Sequence, residues 1–233
     1  MKHFTLPKEG GLIEKSIPAD ILHCYEKIKT EIYDQSSDAS DKIAEIIVNA
    51  VNSCNGRKFK LGLSTGKTPA SLYYRLTRLY QEGKVSFSNV EVFSIDEYYP
   101  YGKGEPQSRN RILHSSFLNA VDVKEENIHI PDGSIAPEEV SKYCAEFDRQ
   151  ARELDLLVIG MGEQGQVGFN EAGTSPNSRT RTVLLSYQSR KRQGKNFNGD
   201  FKHTPSEALT IGIDTMLSAK KIILMAWGED KAV

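Results

Sequence analysis

Short apolar runs alternate along the chain with longer segments whose apolar residues recur at helical spacing. The runs are rich in Val, Ile, Leu, Phe and Tyr, and several are bounded by Gly, Asp or Pro, so they predict β-strands. The predicted strands cover residues 28–33, 59–63, 90–95, 127–130, 156–159, 182–186 and 221–226. Amphipathic helices are predicted between them, with Pro69 at the first helical position of the second, and they cover residues 38–51, 68–81, 111–120 and 138–154.

The repeated order of strand and helix predicts an α/β fold. Continuous apolar strands such as residues 156–159 indicate burial on both faces, which is typical of a mostly parallel sheet covered by helices. We therefore expect a three-layer, Rossmann-like, doubly wound domain over residues 26–233, preceded by an irregular N-terminal lead-in over residues 1–25. Ligands of such folds bind beyond the carboxyl ends of the strands, so we expect the chemistry in the loops after Leu63, Ile95, Ile159 and Ala226.

Composition excludes several classes of protein. The chain of 233 residues suits one large domain, and its net charge of −1 gives no sign of a nucleic-acid-binding surface. Its three cysteines, Cys24, Cys54 and Cys144, are far apart, which argues against disulfides and zinc and fits a reducing compartment. The polar N-terminus does not resemble a signal peptide, and no apolar run approaches the roughly 20 residues that span a bilayer. We therefore expect a cytoplasmic protein that uses no metal or cofactor and contacts neither nucleic acid nor membrane.

The loop after the predicted strand at residues 59–63 is rich in hydrogen-bond donors. It opens a helix, where backbone N–H groups and the helix dipole favour an anion. We therefore expect a phosphate or a phosphorylated ligand here, bound by Ser64, Thr65, Gly66, Lys67 and Thr68. An ordinary strand–helix turn with a good cap is the alternative that these residues leave open.

The same loop comes close to a nucleotide-binding P-loop. Residues 62–68 read G-x-x-x-G-K-T, whereas the P-loop has four residues between its glycines. The missing residue changes how the loop wraps around two phosphates, so we disfavour an ATPase. The acidic pair Asp96 and Glu97 after the strand at residues 90–95 imitates that of an ATPase and keeps this alternative open.

Two further loops carry candidate chemistry. Asp96 follows a buried strand, where a carboxylate facing the phosphate loop can abstract a proton from a bound ligand. The loop after residues 156–159 ends with the polar pair Asn170 and Glu171. Its glycines let the backbone approach a ligand closely, and they are Gly160, Gly162, Gly165 and Gly168.

Together these motifs resemble those of the glucosamine-6-phosphate deaminases and, more distantly, the 6-phosphogluconolactonases. The similarity extends from about Leu61 to the end of the chain. It includes L-G-L-S-T-G-K-T-P (61–69), V-S-F-S-N-V (85–90), D-E-Y-Y (96–99), P-Q-S (106–108), N-I-H-I-P-D-G (127–133), G-F-N-E (168–171), S-R-T-R (178–181), A-L-T-I-G-I (208–213) and W-G-E-D-K-A (227–232). So many ordered motifs are specific for fold and ancestry, and less specific for activity, because function belongs to the site.

The resemblance implies a reaction and a set of roles. In the deaminases the sugar ring opens, a carboxylate moves a proton at C2, and the resulting imine is hydrolysed to fructose 6-phosphate and ammonia. Asp96 would be this base, Glu171 would support the ring-opening group, and Gly162 would belong to the substrate-binding set. The phosphate ligands would be residues 65–68, Lys195 and Lys231, and Ser64 would belong to the substrate-binding set.

One departure from the family pattern concerns the ring-opening group. The family has G-x-x-G-H in this loop, and the histidine assists ring opening, whereas residues 162–166 end in Gln166. A carboxamide cannot take and return a proton near neutral pH as an imidazole does, although it can hydrogen-bond a sugar hydroxyl. Gln164 stands where many deaminases have an aspartate that orients the histidine, so we expect no proton relay.

Three functions follow from the resemblance. The first is a deaminase-type enzyme whose activity is reduced by Gln166. The second is a catalytically silent domain that binds a sugar phosphate, and the third is a 6-phosphogluconolactonase-like hydrolase, which depends on the same histidine. The family pattern continues beyond W-G-x-x-K-A with a further helix and strand, so we expect a fold truncated at its C-terminus. A homo-oligomer would be in keeping with the family.

Overall fold

The computed structural model describes residues 28–197, 199 and 201–228. The chain divides into two units, Met1–Asp34 and Gln35–Val233. In the first unit the described residues 28–34 are exposed and contain no helix or strand, so the strand predicted at residues 28–33 is wrong. Its apolar residues are interrupted by Lys29 and Glu31, whose side chains form an exposed ion pair at 2.7 Å. The segment therefore lacks the apolar continuity of a buried strand.

Regular elements of the second unit follow one another in alternating order. The strands in the described part of the chain are β1 (Phe59–Leu63), β2 (Val90–Ser94), β3 (Asp96–Tyr99), β4 (Ile128–His129), β5 (Leu156–Gly160), β6 (Arg181–Leu184), β7 (Glu207–Thr210) and β8 (Ile222–Met225). The α-helices in the same part are α1 (Ser36–Asn52), α2 (Ala70–Gln81), α3 (Arg109–Ser116), α4 (Val140–Gln150), α5 (Tyr187–Gln193) and α6 (Ile213–Leu217).

The central sheet is parallel and has the strand order β4-β2-β1-β5-β8. Side chains of one strand alternate between its two faces. Leu61 packs in a core with α1, α2 and α3, whereas Leu157 packs in a second core with α4 and α6. Gly62 lies on this second face, where a Cβ would come within 2.6 Å of methyl groups of Leu154 and Leu157. The predicted α/β fold, with helices on both faces of a mostly parallel sheet, is confirmed.

A second, antiparallel sheet has the order β3-β7-β6. The chain passes from one sheet to the other at Ile95, whose N–H donates to the carbonyl of Leu63 at 3.2 Å and whose carbonyl accepts from Ile211 at 2.9 Å. We predicted a loop at Asp96 and no strand at Glu207–Thr210, and both predictions are wrong. These strands exist because they pair with each other, which no local pattern reveals.

The four predicted helices occur at the predicted positions, but their first and last residues differ from the prediction. α2 begins at Ala70, so Pro69 is its N-cap and not its first helical residue. α3 ends at Ser116, and a separate 3₁₀ turn follows at Leu118–Ala120. Helices α5 and α6 were not predicted, because each is too short to show a full apolar stripe. In the described part of the chain, no helix combines the length and the apolar character that crossing a membrane requires.

Candidate active site

A cavity of about 220 Å³ lies beyond the carboxyl ends of β1, β2 and β5, where doubly wound folds bind their ligands. Backbone hydrogen bonds join these strand ends, because the N–H of Ser64 donates to the carbonyl of Val158 at 3.2 Å and Ile95 donates to Leu63. Five segments line the cavity: the loop after β1, the start of β3, the first residue of α3, the Gly-rich loop after β5, and α5.

Ser64 and Thr65 begin the loop after β1 and have different surroundings. The Ser64 hydroxyl accepts from the N–H of Gly160 at 3.1 Å, and the Tyr73 hydroxyl donates to the Ser64 carbonyl. Ser64 therefore holds the ends of β1 and β5 together. The Thr65 hydroxyl is buried at the cavity and has no hydrogen-bond partner among the described residues. It is available to a ligand.

The rest of this loop suits an anion. Lys67 and Thr68 line the cavity, and Gly66 shapes the turn with a φ of +126°, which disfavours any side chain. The indole N–H of Trp227 donates to the Thr68 carbonyl at 2.9 Å and ties the loop to the segment after β8. α2 begins at Ala70, directly after the loop, so its dipole also favours negative charge here.

Asp96 is the first residue of β3, and its side chain is 8% exposed in the cavity wall. Burial raises the pKa of Asp96 to about 6; the Arg109 guanidinium opposes this shift and the Glu97 carboxylate adds to it. Gly168 lies over the carboxyl group, since a Cβ at this glycine would be 3.5 Å from Oδ2 of Asp96. A carboxyl group with this pKa can take and return a proton near neutral pH.

Glu97, next to Asp96, has a structural role. Its carboxylate is 1% exposed and accepts four hydrogen bonds, from the N–H groups of Tyr98 at 2.8 Å, Arg109 at 2.9 Å and Asn110 at 3.0 Å and from the Ser108 hydroxyl at 2.7 Å. Three of these donors belong to the N-terminus of α3, which favours an anion. Glu97 thereby fixes α3 against β3 and brings Arg109 beside Asp96.

Arg109 lines the cavity, although the sequence interpretation did not assign it. Its side chain is 11% exposed and lies over the rings of Tyr98, 4.8 Å from Cζ to centroid, and Phe169, at 5.4 Å. Its Nε is 3.8 Å from Oδ1 of Asp96, and in the described part of the chain neither atom has a hydrogen-bond partner. The sequence feature that could have indicated this position is the P-Q-S motif at residues 106–108, which directly precedes Arg109.

Gln166 folds back onto its own loop. Its side-chain oxygen accepts from the N–H of Gln164 at 2.9 Å, and its backbone carbonyl accepts from Gly162 at 2.8 Å. A Cβ at Gly162 would lie 2.2 Å from the carboxamide carbon, so the glycine makes room for this amide. The side chain of Gln164 donates to Gln188. The loop therefore presents a carboxamide that is already engaged by backbone.

Glu171 connects the Gly-rich loop to α5. Its carboxylate accepts from the N–H of Ser186 at 3.4 Å and from the Ser186 hydroxyl at 3.2 Å. Ser186 is the N-cap of α5, because its hydroxyl oxygen also accepts from the N–H of Ser189 at 3.2 Å. This contact places α5 so that Ser189 and Gln193 face the cavity.

Most of the predicted site residues meet at this cavity, whose lining includes Asp96, Gln166, Glu171, Gly162, Ser64, Thr65, Lys67 and Thr68. Among the residues that the structure describes, Gly66 and Lys195 are not part of the lining, and Lys195 is exposed in the turn Gly194–Asn196. Lys231 lies outside the described residues. The roles of all these residues stay predictions.

Two carboxyl groups lie in the cavity lining. It contains Asp96 and Glu171 and no histidine from the described residues. No group of three or more His, Cys, Asp or Glu side chains in the described ranges is arranged to hold a metal ion. Of these two carboxyl groups, Asp96 has the perturbed pKa, which makes it a candidate for proton transfer.

The fold and the cavity define a class of protein. The family described as glucosamine-6-phosphate isomerases/6-phosphogluconolactonase matches residues 34–233. The chain belongs to this family. The match includes the loop at residues 63–69, which resembles a P-loop.

Curated relatives carry related names. A glucosamine-6-phosphate deaminase-like protein of Bacteroides thetaiotaomicron is 36% identical over 224 residues, which are 94% of this chain and 34% of that protein. The chain thus spans about a third of the length of this relative. The glucosamine-6-phosphate deaminase of Phocaeicola vulgatus is 37% identical over 188 residues, which are 79% of this chain and 71% of that protein.

Solved structures agree with the fold. A structure described as a monomeric glucosamine-6-phosphate deaminase has a TM-score of 0.78 and 32% identity, covering 84% of this chain and 81% of that one. A 6-phosphogluconolactonase of Thermotoga maritima has a TM-score of 0.67 and 18% identity, covering 86% and 84%. The second similarity is one of fold alone.

Proposed function

We propose that this chain is a glucosamine-6-phosphate deaminase-type enzyme, which converts an amino-sugar phosphate and water into a ketose phosphate and ammonia. The observation that carries the proposal is that Asp96, a buried carboxyl group with a pKa of about 6, shares a cavity with the donor-rich loop after β1. Family membership and the names of the relatives support it. The activity, substrate and partners of the whole protein are part of the same proposal.

The proposed chemistry moves one proton between two carbons. Thr65, Lys67 and Thr68 bind the phosphate group, and the open-chain sugar brings its C2–H to Asp96. Asp96 takes this proton, the C–H electron pair forms the C1=C2 double bond, and the C1 carbonyl oxygen takes the negative charge. Return of the proton to C1 and protonation of the oxygen give a C2 imine. Water then replaces the imine nitrogen, which leaves as ammonia.

Ring opening is the step that Gln166 affects. A carboxamide can hydrogen-bond the sugar but does not exchange a proton near neutral pH. A general acid–base group contributes about 10²–10⁴-fold to a rate, so we expect slow turnover that depends on sugar already in its open form.

Ammonia release from glucosamine 6-phosphate tests the proposal. We expect slow release by the purified chain, loss of release in Asp96→Asn, and no change in the control Asp34→Asn, whose carboxylate is exposed. The proposal fails if the purified chain releases no ammonia above background, or if Asp96→Asn releases it as fast as the unchanged protein.

The variant Gln166→His, alone and with Gln164→Asp, tests the ring-opening step. Either change is expected to raise turnover, by up to about 10²-fold, because an imidazole can exchange a proton near neutral pH. If neither variant is faster than the parent, ring opening does not limit the rate.

A silent sugar-phosphate-binding domain is the second candidate. The observation in its favour is that Gln166 accepts a hydrogen bond from Gln164 within its own loop, while the phosphate loop keeps its free Thr65 hydroxyl. This candidate predicts that glucosamine 6-phosphate raises the unfolding temperature although neither the parent nor Gln166→His releases ammonia.

A further inference from the structure

Arg109 places a positive charge directly beside the proposed base. Its guanidinium lies in the cavity wall, 11% exposed, with Nε 3.8 Å from Oδ1 of Asp96. The backbone contacts that hold the N-terminus of α3 do not require this charge, because Glu97 makes them through N–H groups. The guanidinium contacts the rings of Tyr98 and Phe169 and donates from Nη2 to the Tyr98 hydroxyl at a long 3.4 Å. The guanidinium therefore needs a separate explanation.

The pair between Arg109 and Asp96 is close but not hydrogen-bonded. Nε of Arg109 and Oδ1 of Asp96 are both buried, and among the described residues each has no hydrogen-bond partner. Buried charged groups are normally both paired and hydrogen-bonded, since leaving them unbonded costs free energy. Arg109 has one long hydrogen bond, from Nη2 to the Tyr98 hydroxyl, so a ligand oxygen beside the guanidinium would provide a further acceptor for its donors.

We propose that Arg109 binds the negatively charged oxygen that forms on the substrate when Asp96 removes the C2 proton. This inference rests on the proposed function and names a further catalytic residue for it. The ligand chemistry is an oxyanion at the reacting end of a sugar phosphate, as in the enolate of an open-chain amino sugar or in a carboxylate.

Conservation of charge during the proton transfer supports this role. Before the step, the cavity holds a positive Arg109 and a negative Asp96. The proton leaves C2 for Asp96, the C–H electron pair becomes the C1=C2 bond, and the C1 oxygen becomes negative. Asp96 is then neutral, so Arg109 exchanges its negative partner on the protein for one on the substrate. No net charge is created in the buried site.

Arg109 is also positioned in advance for this task. The backbone contacts of Glu97 fix its main chain, and the rings of Tyr98 and Phe169 support the plane of its guanidinium. Arginine stays protonated at any ordinary pH, so it donates throughout the reaction. Donors that are fixed before charge develops lower a barrier more than donors that must reorient.

Kinetics of Arg109→Gln test the role. We expect kcat for ammonia release to fall by about 10²–10³-fold with KM changed by less than about threefold, because the contact forms in the transition state. Arg109→Lys should recover part of the loss, since it keeps the charge without the planar fork. Arg111→Gln is the matched control, because Arg111 is exposed on the same helix, and it should match the parent.

Binding of two stable ligands separates this inference from the proposed function. Arabinonate 5-phosphate carries a carboxylate where the enolate oxygen would form, and glucitol 6-phosphate is uncharged there. By calorimetry, the parent should bind the carboxylate about 10-fold or more tightly than the alcohol, and Arg109→Gln should lose this preference while keeping its affinity for glucitol 6-phosphate. If Arg109→Gln does not fold, Arg109→Lys should show a reduced preference.

The outcomes are distinct. An active parent whose kcat is unchanged in Arg109→Gln overturns the role of Arg109 and leaves the proposed function intact. An equal loss of affinity for both ligands also overturns it, because the residue would then be structural. An inactive parent overturns the proposed function, and a preference for the carboxylate that disappears in Arg109→Gln would still identify Arg109 as the oxyanion-binding residue.

Discussion

Glu97→Gln tests how the cavity is assembled, because it keeps the size of a buried side chain and removes its charge. One carboxylate oxygen accepts from the N–H groups of Tyr98 and Arg109, and the other accepts from Asn110 and the Ser108 hydroxyl, at 2.7 to 3.0 Å. A carboxamide has one accepting oxygen, and its NH₂ group donates. The carboxamide can be placed in two orientations. In the more favourable one its oxygen accepts from the N–H groups of Tyr98 and Arg109, and its NH₂ group donates to the Ser108 hydroxyl. The N–H of Asn110 then has no acceptor.

The expected loss of stability follows from these contacts. A buried N–H without an acceptor costs about 1–3 kcal/mol. Loss of the negative charge at the N-terminus of α3 costs up to about 1 kcal/mol more. We therefore expect Glu97→Gln to lower the free energy of unfolding by about 1–4 kcal/mol.

Urea unfolding measures this loss as a lower midpoint at an unchanged slope. A chain of this size loses about 2–4 °C in Tm per kcal/mol, so Tm should fall by about 2–16 °C. Glu105→Gln, an exposed residue in the same connection, is the control and should leave Tm unchanged. A loss below about 1 kcal/mol for Glu97→Gln would refute the reasoning, because the carboxylate would then not hold α3.

Three further predictions concern the cavity. The kcat/KM for ammonia release should rise with pH through about 6, because Asp96 must lose its proton to act as the base; a flat profile there would contradict this. Thr65→Val should weaken sugar-phosphate binding about 10-fold in calorimetry without lowering Tm, because the hydroxyl has no partner among the described residues; unchanged binding would contradict this. Gly168→Ala and Gly165→Ala should each cost about 1–2 kcal/mol in urea unfolding, since both glycines have positive φ. Only Gly168→Ala should also slow turnover, since its Cβ would come within 3.0 Å of the Thr210 hydroxyl and 3.3 Å of Ile95, beside the Asp96 carboxylate. Equal effects of both variants on turnover would contradict this.

Local sequence was sufficient for the parallel sheet and for β6, and insufficient for the other two strands of the antiparallel sheet. The strand Phe59–Leu63 was predicted with its observed bounds. A buried strand and the turns on either side of it leave a recognisable pattern within a few residues. Strands β3 and β7 escaped prediction, since each is short and is defined by pairing such as Asp96 with Thr210. That pairing depends on where the whole sheet brings the two segments, so no pattern near Asp96 could indicate it.

The sequence by itself determined three of the segments that line the cavity. The loop at residues 64–68, Asp96 and the Gly-rich loop with Gln166 all follow strands of a parallel sheet, and such strand ends meet at one edge. Only the tertiary structure placed Arg109 there. Its position depends on Glu97, which reaches from β3 to the backbone of α3 across a connection that has no periodic pattern. Residue type and spacing therefore predicted the carboxylates Asp96 and Glu171 and the donor-rich loop at residues 64–68. The position of the Arg109 charge beside Asp96 was decided by the buried contact of Glu97 with α3, which local sequence does not reveal.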